Sequence, residues 1–331
     1  VHTVVAATAG RGARIVISLI TLVGVGSAVA SSPAPPPGRP RAAVERNSLS
    51  LPCGDVLGFQ VRLDRHGFSP GEIDGRAGLN LRRALTAFQK DRRLPPTAKP
   101  DCETWRELGG EAGEPTLSTY EVTAEDVAGP HTGWIPSKLE EQRVLPALEY
   151  RSPLERLSER FHAAPALLKA QNPAATFGAG EELQVPNVMP FDADTKPPPD
   201  AEAAGTTVLV SRDESTLRVI RSDGTLVYFA PVSSGSEHDP LPPGEWRVTG
   251  VAWRPVFHYN PDLFWDAHPK DRAASIKPGP NNPVGVVWID INRERFGLHG
   301  TPEPSRVGSA QSHGCVRLTN WAAARVASLV K

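Results

Sequence analysis

Residues 299–318 read His-Gly-Thr-Pro-Glu-Pro-Ser-Arg-Val-Gly-Ser-Ala-Gln-Ser-His-Gly-Cys-Val-Arg-Leu. Two histidines and a cysteine fall within seventeen residues. A thiol nucleophile needs a base to make the thiolate, a group to orient that base, and donors for the oxyanion. The segment Arg295-Phe-Gly-Leu-His299 reads as a short strand ending on a histidine, so a rigid scaffold can aim the imidazole. Gly300 and Gly314 allow close backbone approach and unusual dihedrals. His313 precedes Cys315 by two residues, which in an extended segment puts both side chains on one face.

Upstream of this stretch, residues 205–331 have β character. The runs 206–210, 217–220, 226–230, 246–251 and 284–291 alternate or are short and apolar, and Asp223-Gly224 is a hairpin signal. Asn320 or Thr319 caps a last helix carrying Trp321, Val326 and Val330. Trp253, Phe257, Tyr259, Phe264 and Trp265, interspersed with prolines, read either as a lid over the site or as a satellite core.

The pattern His299-Gly300-Thr301, a spacer, then Ser312-His313-Gly314-Cys315-Val316-Arg317 resembles the L,D-transpeptidase catalytic family, the YkuD-like domain. The resemblance extends through Pro243-Gly244, residues 259–265 and residues 278–285. It implies a mainly β catalytic domain, a β-sandwich with a terminal helix, over 205–331. It implies Cys315 as nucleophile and His299 as base, with the Gly300 carbonyl fixing the tautomer. Backbone N–H groups of Gly314 and Cys315, with His313 nearby, would form the oxyanion hole. Arg317, Ser312, Thr301, Tyr259 and Trp265 are the expected substrate contacts. His313 has a loop-packing role as its alternative, and Arg317 a plain ion-pair role. The implied reaction is acyl transfer from a stem tetrapeptide, at the diaminopimelate–D-Ala bond, through a thioester to an amine. An L,D-carboxypeptidase or cross-link hydrolase on the same scaffold is the alternative. No cofactor and no metal are expected, and carbapenem-type inhibitors are expected to acylate the thiol. Family domains continue past the last helix with a turn and a closing strand. The sequence stops at Lys331, so a missing edge strand or a longer parent chain is expected.

Two further units precede this domain. Over residues 51–110, Val56, Phe59 and Leu63 give one helical face, and Leu81, Leu85 and Phe88 a second with Asn80 as candidate N-cap; Asp101 caps a third short helix. A Cys53–Cys102 disulfide would close this unit end to end and contribute roughly 4 kcal/mol by loop length. Glu72-Ile-Asp-Gly75, Gly78 and Ala84-Leu-Thr-Ala-Phe-Gln89 resemble the three-helix peptidoglycan-binding-like domain. A spacer without wall affinity is the alternative. Over 116–187, Leu154, Leu157 and Phe161, a helix opened by Pro165, and Leu183-Gln-Val-Pro186 resemble a LysM-type α+β module. Residues 188–204 read as a linker. The expected chain is thus multidomain.

The N-terminus sets the compartment. Arg11 and Arg14 precede an apolar run from Ile15 to Val25, and Ala28-Val-Ala30 follows, which is the three-part form of a secretory signal peptide over 1–30. The run is short for a membrane span, so no stable membrane insertion is expected after cleavage. Residues 31–50 read as a disordered linker. An exported protein of the periplasm or cell wall is expected, with peptidoglycan stem peptides and glycan as partners. With a net charge of -1 and no basic stripe, nucleic acid is not an expected partner. In an oxidising compartment three cysteines leave one unpaired, and the motif around Cys315 makes it the free one.

Overall fold

Capping residues and apolar spacing set the N-terminal helices. In the computed structural model, which describes residues 3–7, 51–310 and 312–330, helix α1 (Val56–Arg65) begins where the Asp55 carboxylate accepts the Gly58 N–H at 2.6 Å. Helix α3 (Cys102–Glu107) is capped in the same way by Asp101. Between them, α2 (Leu79–Asp91) has Gly78 at its N-cap and no side-chain cap bond. Asn80 is therefore not the cap; it lies in the first turn and its amide reaches out of the helix. Phe59, Leu63, Leu81, Leu85 and Phe88 close a small core, and Cys53 and Cys102 are disulfide-bonded.

The second unit is β-α-α-β in outline. Strand β2 (Leu117–Glu121) pairs antiparallel with β3 (Glu182–Pro186). Short helices α4 (Ala124–Val127) and α5 (Leu139–Gln142) follow β2. Helix α6 (Pro153–Arg160) has Ser152 as N-cap and proline in its first turn, and α7 (Pro165–Gln171) also opens on proline, where the missing N–H costs nothing. The first strand lies well upstream of the helices. The intervening residues 128–149 are a feature the sequence did not disclose: Ile135, Leu139, Leu145 and Leu148 pack on the catalytic domain.

The third unit contains β4 (Thr207–Ser211), β5 (Thr216–Ile220), β6 (Leu226–Pro231), β7 (Ser233–Ser234), β8 (Gly244–Trp253), β9 (Phe257–Tyr259), β10 (Ala274–Ile276), β11 (Val287–Ile291), β12 (Gly297–His299), β13 (Val316–Arg317) and helix α8 (Asn320–Leu329). Strand β1 (Thr3–Ala7) joins them, parallel to β4 and antiparallel to β8. Hydrogen bonding runs unbroken through nine strands in the order β6-β5-β4-β1-β8-β11-β12-β13-β7. Two separate sheets were expected; the reason for one ladder is β8. Its first half pairs with β1 and its second half, Val248–Trp253, with β11, so one long strand serves both layers. Val208, Val210, Leu217 and Val219 from one half and Val287, Ile289 and Leu298 from the other share a single core with Trp321 and Val326 of α8. The α8 cap is Thr319, whose hydroxyl accepts the Ala322 N–H. Asn320 is thereby freed for another role.

The three units are docked together. Phe229 of β6 is buried in the α1–α3 core, and its N–H and C=O bond Gly67 O and Ser69 N at 2.8 and 2.9 Å. Ile73 exchanges backbone bonds with His162 and Ala164. The segment read as a linker, 188–204, is held too: Ala193 and Ala203 are buried, and Asp194 pairs with Arg156 and Arg254. Low complexity there reflects small residues fitted against a surface, not a free tether. Residues 3–7 of the expected signal peptide form β1 inside the catalytic sheet, which is at odds with their removal by cleavage; the rest of that segment and the 31–50 linker lie outside the described residues. Among the described residues no helix is long and apolar enough to cross a membrane.

Candidate active site

The site is built at the β11-β12-β13 end of the sheet. Strand β12 runs parallel to β13, with Leu298 opposite Val316 and His299 opposite Arg317. Leu298 and Val316 point into the core, at 1% and 2% exposure. Alternation then turns His299, Arg317 and the preceding Cys315 to the other face. Cys315, one residue before β13, is bonded by the Gly297 N–H, two residues before His299 on β12, so the two occupy diagonal positions of neighbouring strands. With strands about 4.8 Å apart and a rise of about 3.3 Å per residue, their Cα atoms lie roughly 8 Å apart, within reach of two side chains.

His299 is 5% exposed. Its Nδ1 lies 2.6 Å from the Gly300 carbonyl, and since a carbonyl only accepts, Nδ1 carries the proton and Nε2 is the free lone pair. The ring stacks on Trp288, which is opposite it on β11, at 5.6 Å and 16°. Burial, helped by the Arg317 charge, pushes the imidazole down to about 3 against the Gly300 bond. Cys315 is the free cysteine among the described residues. It keeps a partly open face, yet its protein surroundings push the thiol up to about 11, with the Gly297 N–H and Arg317 pulling the other way. At neutral pH the resting pair is therefore thiol and neutral imidazole. The sulfur lies 3.5 Å from the Arg295 carbonyl, a weak S–H···O contact.

The loop around Cys315 is braced from below. The Ser312 hydroxyl donates to the Cys315 carbonyl at 2.6 Å and accepts the Gly235 N–H at 2.7 Å. Gly314 has φ +94°, and a Cβ there would meet Phe296 Cε1 at 2.7 Å, so the turn into Cys315 requires glycine. Arg317 is mostly enclosed, and its Nε has no hydrogen-bond partner among the described residues. Burial lowers its pKa, Glu303 works against that, and the guanidinium charge acts on both His299 and Cys315.

The expected substrate contacts separate into two groups. Ser312 and Thr301 are buried and engaged locally, Thr301 accepting the Glu303 N–H at 3.3 Å. Tyr259 is 6% exposed, packs with Leu148 and Ile276, and donates to Asp271. All three are thus buried and bonded within the protein. Trp265 is 55% exposed and stacks on His238 at 4.2 Å. With Phe264 and Asp266 it lies over His313, whose Nε2 is 2.8 Å from Asp266 Oδ1 and whose ring is 4.8 Å from Phe264. His313 thus faces the Asn260–Asp271 segment, away from the sheet.

Two residues that hold the site were not found from sequence. Trp288 sits at a polar-phase position of an apolar strand, which was a usable signal. Asn320 gave none, because its partners are remote in sequence. It is fully buried; Nδ2 donates to Glu159 Oε1 at 2.8 Å and Pro280 O at 3.1 Å, and Oδ1 accepts the Val286 N–H at 3.1 Å. A Cβ on Gly300 would lie 2.1 Å from Oδ1, so the backbone beside the base packs directly on this amide. No group of three or more metal-ligating side chains occurs among the described residues.

Two segments of the chain match known domain families. Residues 205–331 match the family described as "L,D-transpeptidase catalytic domain", and residues 54–108 match "Putative peptidoglycan binding domain". The protein named "Putative L,D-transpeptidase YkuD" from Bacillus licheniformis is 26% identical over 180 residues, 54% of this chain and 87% of that protein. "Probable L,D-transpeptidase YbiS" from Escherichia coli K12 is 33% identical over 76 residues, 23% of this chain and 24% of that one. The crystal structure of L,D-transpeptidase 3 from Mycobacterium tuberculosis with a faropenem-derived adduct aligns at 17% identity, over 36% of this chain and 53% of that chain. Its TM-score is 0.30. The family likeness is thus at the level of domains: residues 205–331 match an L,D-transpeptidase catalytic domain, and residues 54–108, ahead of it, a putative peptidoglycan binding domain.

Proposed function

We propose that Cys315 is the nucleophile and His299 the general base of an exported peptidoglycan L,D-transpeptidase. The observation that carries the reading is the β12–β13 register, which sets the two side chains on one face with His299 Nε2 unprotonated. As sulfur attacks the carbonyl carbon between diaminopimelate and terminal D-Ala, the thiol proton passes to Nε2. The oxyanion is met by the Gly314 and Cys315 N–H groups, with His313 beside them. Collapse expels the D-Ala amine, which takes the proton from His299, and leaves a thioester on Cys315. An acceptor amine, from a second stem peptide, attacks the thioester; its proton returns through His299 to the sulfur. The amide bond consumed supplies the energy for the bond formed.

The neutral resting pair suits this sequence. A thiol pushed up to about 11 rests protonated and becomes nucleophilic as its proton moves to the base. Arg317, a desolvated cation beside the sulfur, favours the thiolate as it forms. Trp265 and His313 line the entrance for the donor peptide. The peptidoglycan-binding-family domain and the LysM-like residues 116–187 hold the enzyme on its polymer and raise the local substrate concentration. Carbapenems, whose strained acyl bond opens on attack, would leave a slowly hydrolysed thioester.

Incubation with a disaccharide tetrapeptide, followed by mass spectrometry, tests the reaction. A cross-linked dimer with release of D-Ala is the expected product. Tripeptide alone would show water as acceptor and make the enzyme an L,D-carboxypeptidase. An intact tetrapeptide in the presence of reduced Cys315 would refute both.

A further inference from the structure

We propose that Asn80 and Arg83, on helix α2 of the peptidoglycan-binding-family domain, are positioning residues for the catalytic loop, so that Cys315 reactivity depends on a unit holding no reacting group. The inference rests on the Cys315–His299 assignment above. The loop in question, 300–312, joins the two halves of the site: it leaves from the base at Gly300 and returns at Ser312, three residues before the sulfur. Its midpoint is tied to α2. Asn80 Nδ2 donates to the Val307 carbonyl at 2.8 Å, and Arg83 Nη1 donates to the Gly308 carbonyl at 2.8 Å. Arg83 Nη1 also bonds Asn80 Oδ1 at 2.8 Å, so the two side chains orient each other.

The tie continues to the nucleophile. On its other side the Gly308 N–H donates to Ser233 Oγ at 3.0 Å. Ser233 lies in β7, opposite Arg317 of β13. From α2 to the strand that follows Cys315 there are only three links: loop carbonyls, Gly308, and Ser233. Gly308 is fitted to this contact: φ is +84°, and a Cβ would stand 2.3 Å from Asn80 Oδ1.

Three features separate this from an incidental surface contact. First, α2 is a fixed arm: Leu81, Leu85 and Phe88 are buried in a core that includes Phe229 of β6. Second, Arg83 is half-buried and forms no ion pair among the described residues; the carbonyl of Gly308 and the amide of Asn80 are its acceptors. A desolvated guanidinium without a carboxylate is costly unless its bonds hold something in place. Third, part of this boundary is open. Clefts of about 180 and 310 Å³ lie between the loop residues Pro304 and Ser305 and the N-terminal units, with Glu72 on both walls. Beside these clefts the buried Val307 and the two polar ties from α2 hold the loop.

The test uses the full chain and a carbapenem as a small probe, with Cys315 acylation followed by intact mass over a range of concentrations. Asn80→Ala/Arg83→Ala is expected to lower the maximal acylation rate about tenfold, the order expected when catalytic geometry is loosened from a distance. The half-saturating concentration stays within about twofold, and amide exchange over residues 303–315 speeds up. Asn80→Asp is the second variant. It keeps the size and the helix, replaces the donor to Val307 by a carboxylate oxygen, and still accepts from Arg83, so it should show the same loss in part. A maximal rate within twofold of the unaltered chain, or a loss confined to half-saturation, overturns the proposal. If the unaltered chain itself is not acylated at Cys315, the assignment beneath the proposal falls, and the proposal with it.

Discussion

Replacing Asn320 by alanine should destabilise the protein by about 3 kcal/mol. The amide is fully buried and makes three bonds: to Glu159, to the Pro280 carbonyl, and from the Val286 N–H. Truncation leaves the Val286 N–H without that acceptor, which costs about 1–3 kcal/mol for a buried donor. It also removes a donor from the buried Glu159 carboxyl, adding about 1 kcal/mol. For a unit of this size, about 3 kcal/mol lowers the melting temperature by roughly 10 °C at about 2–4 °C per kcal/mol. Differential scanning fluorimetry reads the shift, and denaturant titration the free energy. Because Gly300 packs on the same amide, acylation of Cys315 should slow as well, even well below the melting temperature. A variant that melts within 2 °C of the parent, an observable difference of under roughly 1 kcal/mol, would refute the assignment of Asn320 as the buried joint between α8, α6 and the base.

Two other outcomes follow from the same geometry. His299→Ala should slow acylation roughly a thousandfold by removing the proton acceptor, and His313→Ala about tenfold, since His313 faces the 260–271 segment; stopped-flow acylation rates in reversed order would contradict both roles. Glu159 is pushed up to about 8 by burial, against the Tyr150 and Asn320 donors. Its folded pKa is thus above its unfolded value. Its contribution to stability is present below about pH 4.5 and fades as pH rises through about 8. Glu159→Gln should flatten the fall in melting temperature between those pH values; an unchanged slope would show that Glu159 is ionised in the folded protein.

The sequence exposed the parts of the molecule that are local. Alternation at 206–210 and the Asp223-Gly224 turn marked β4 to β6, and Asp101 and Pro165 marked helix starts, because each acts within a few residues. The motif placed Cys315 and His299 together because the two strands that carry them are each only a few residues from it. What was hidden depends on remote partners. Asn80 read as a cap by its position before an apolar face, but Gly78 occupies the cap and the amide bonds Val307 instead. Ser312 and Thr301 came from the resemblance as expected substrate contacts; their burial and their bonds to nearby backbone groups were not legible in the sequence. The apparent linker at 188–204 is pinned by Arg156 and Arg254, which its own composition cannot reveal.

The central claim is that Cys315 forms the acyl-enzyme. Full-length protein should be treated with a carbapenem at neutral pH, digested without reduction, and mapped by mass spectrometry. Acylation of Cys315 predicts one added inhibitor mass per chain, located on the peptide that contains Cys315. It also predicts no adduct on Cys315→Ala and none, on the same time scale, on Cys315→Ser, because the hydroxyl is far harder for His299 to deprotonate. An adduct on any other residue, or a folded chain that stays unlabelled while Cys315 is reduced, would contradict it.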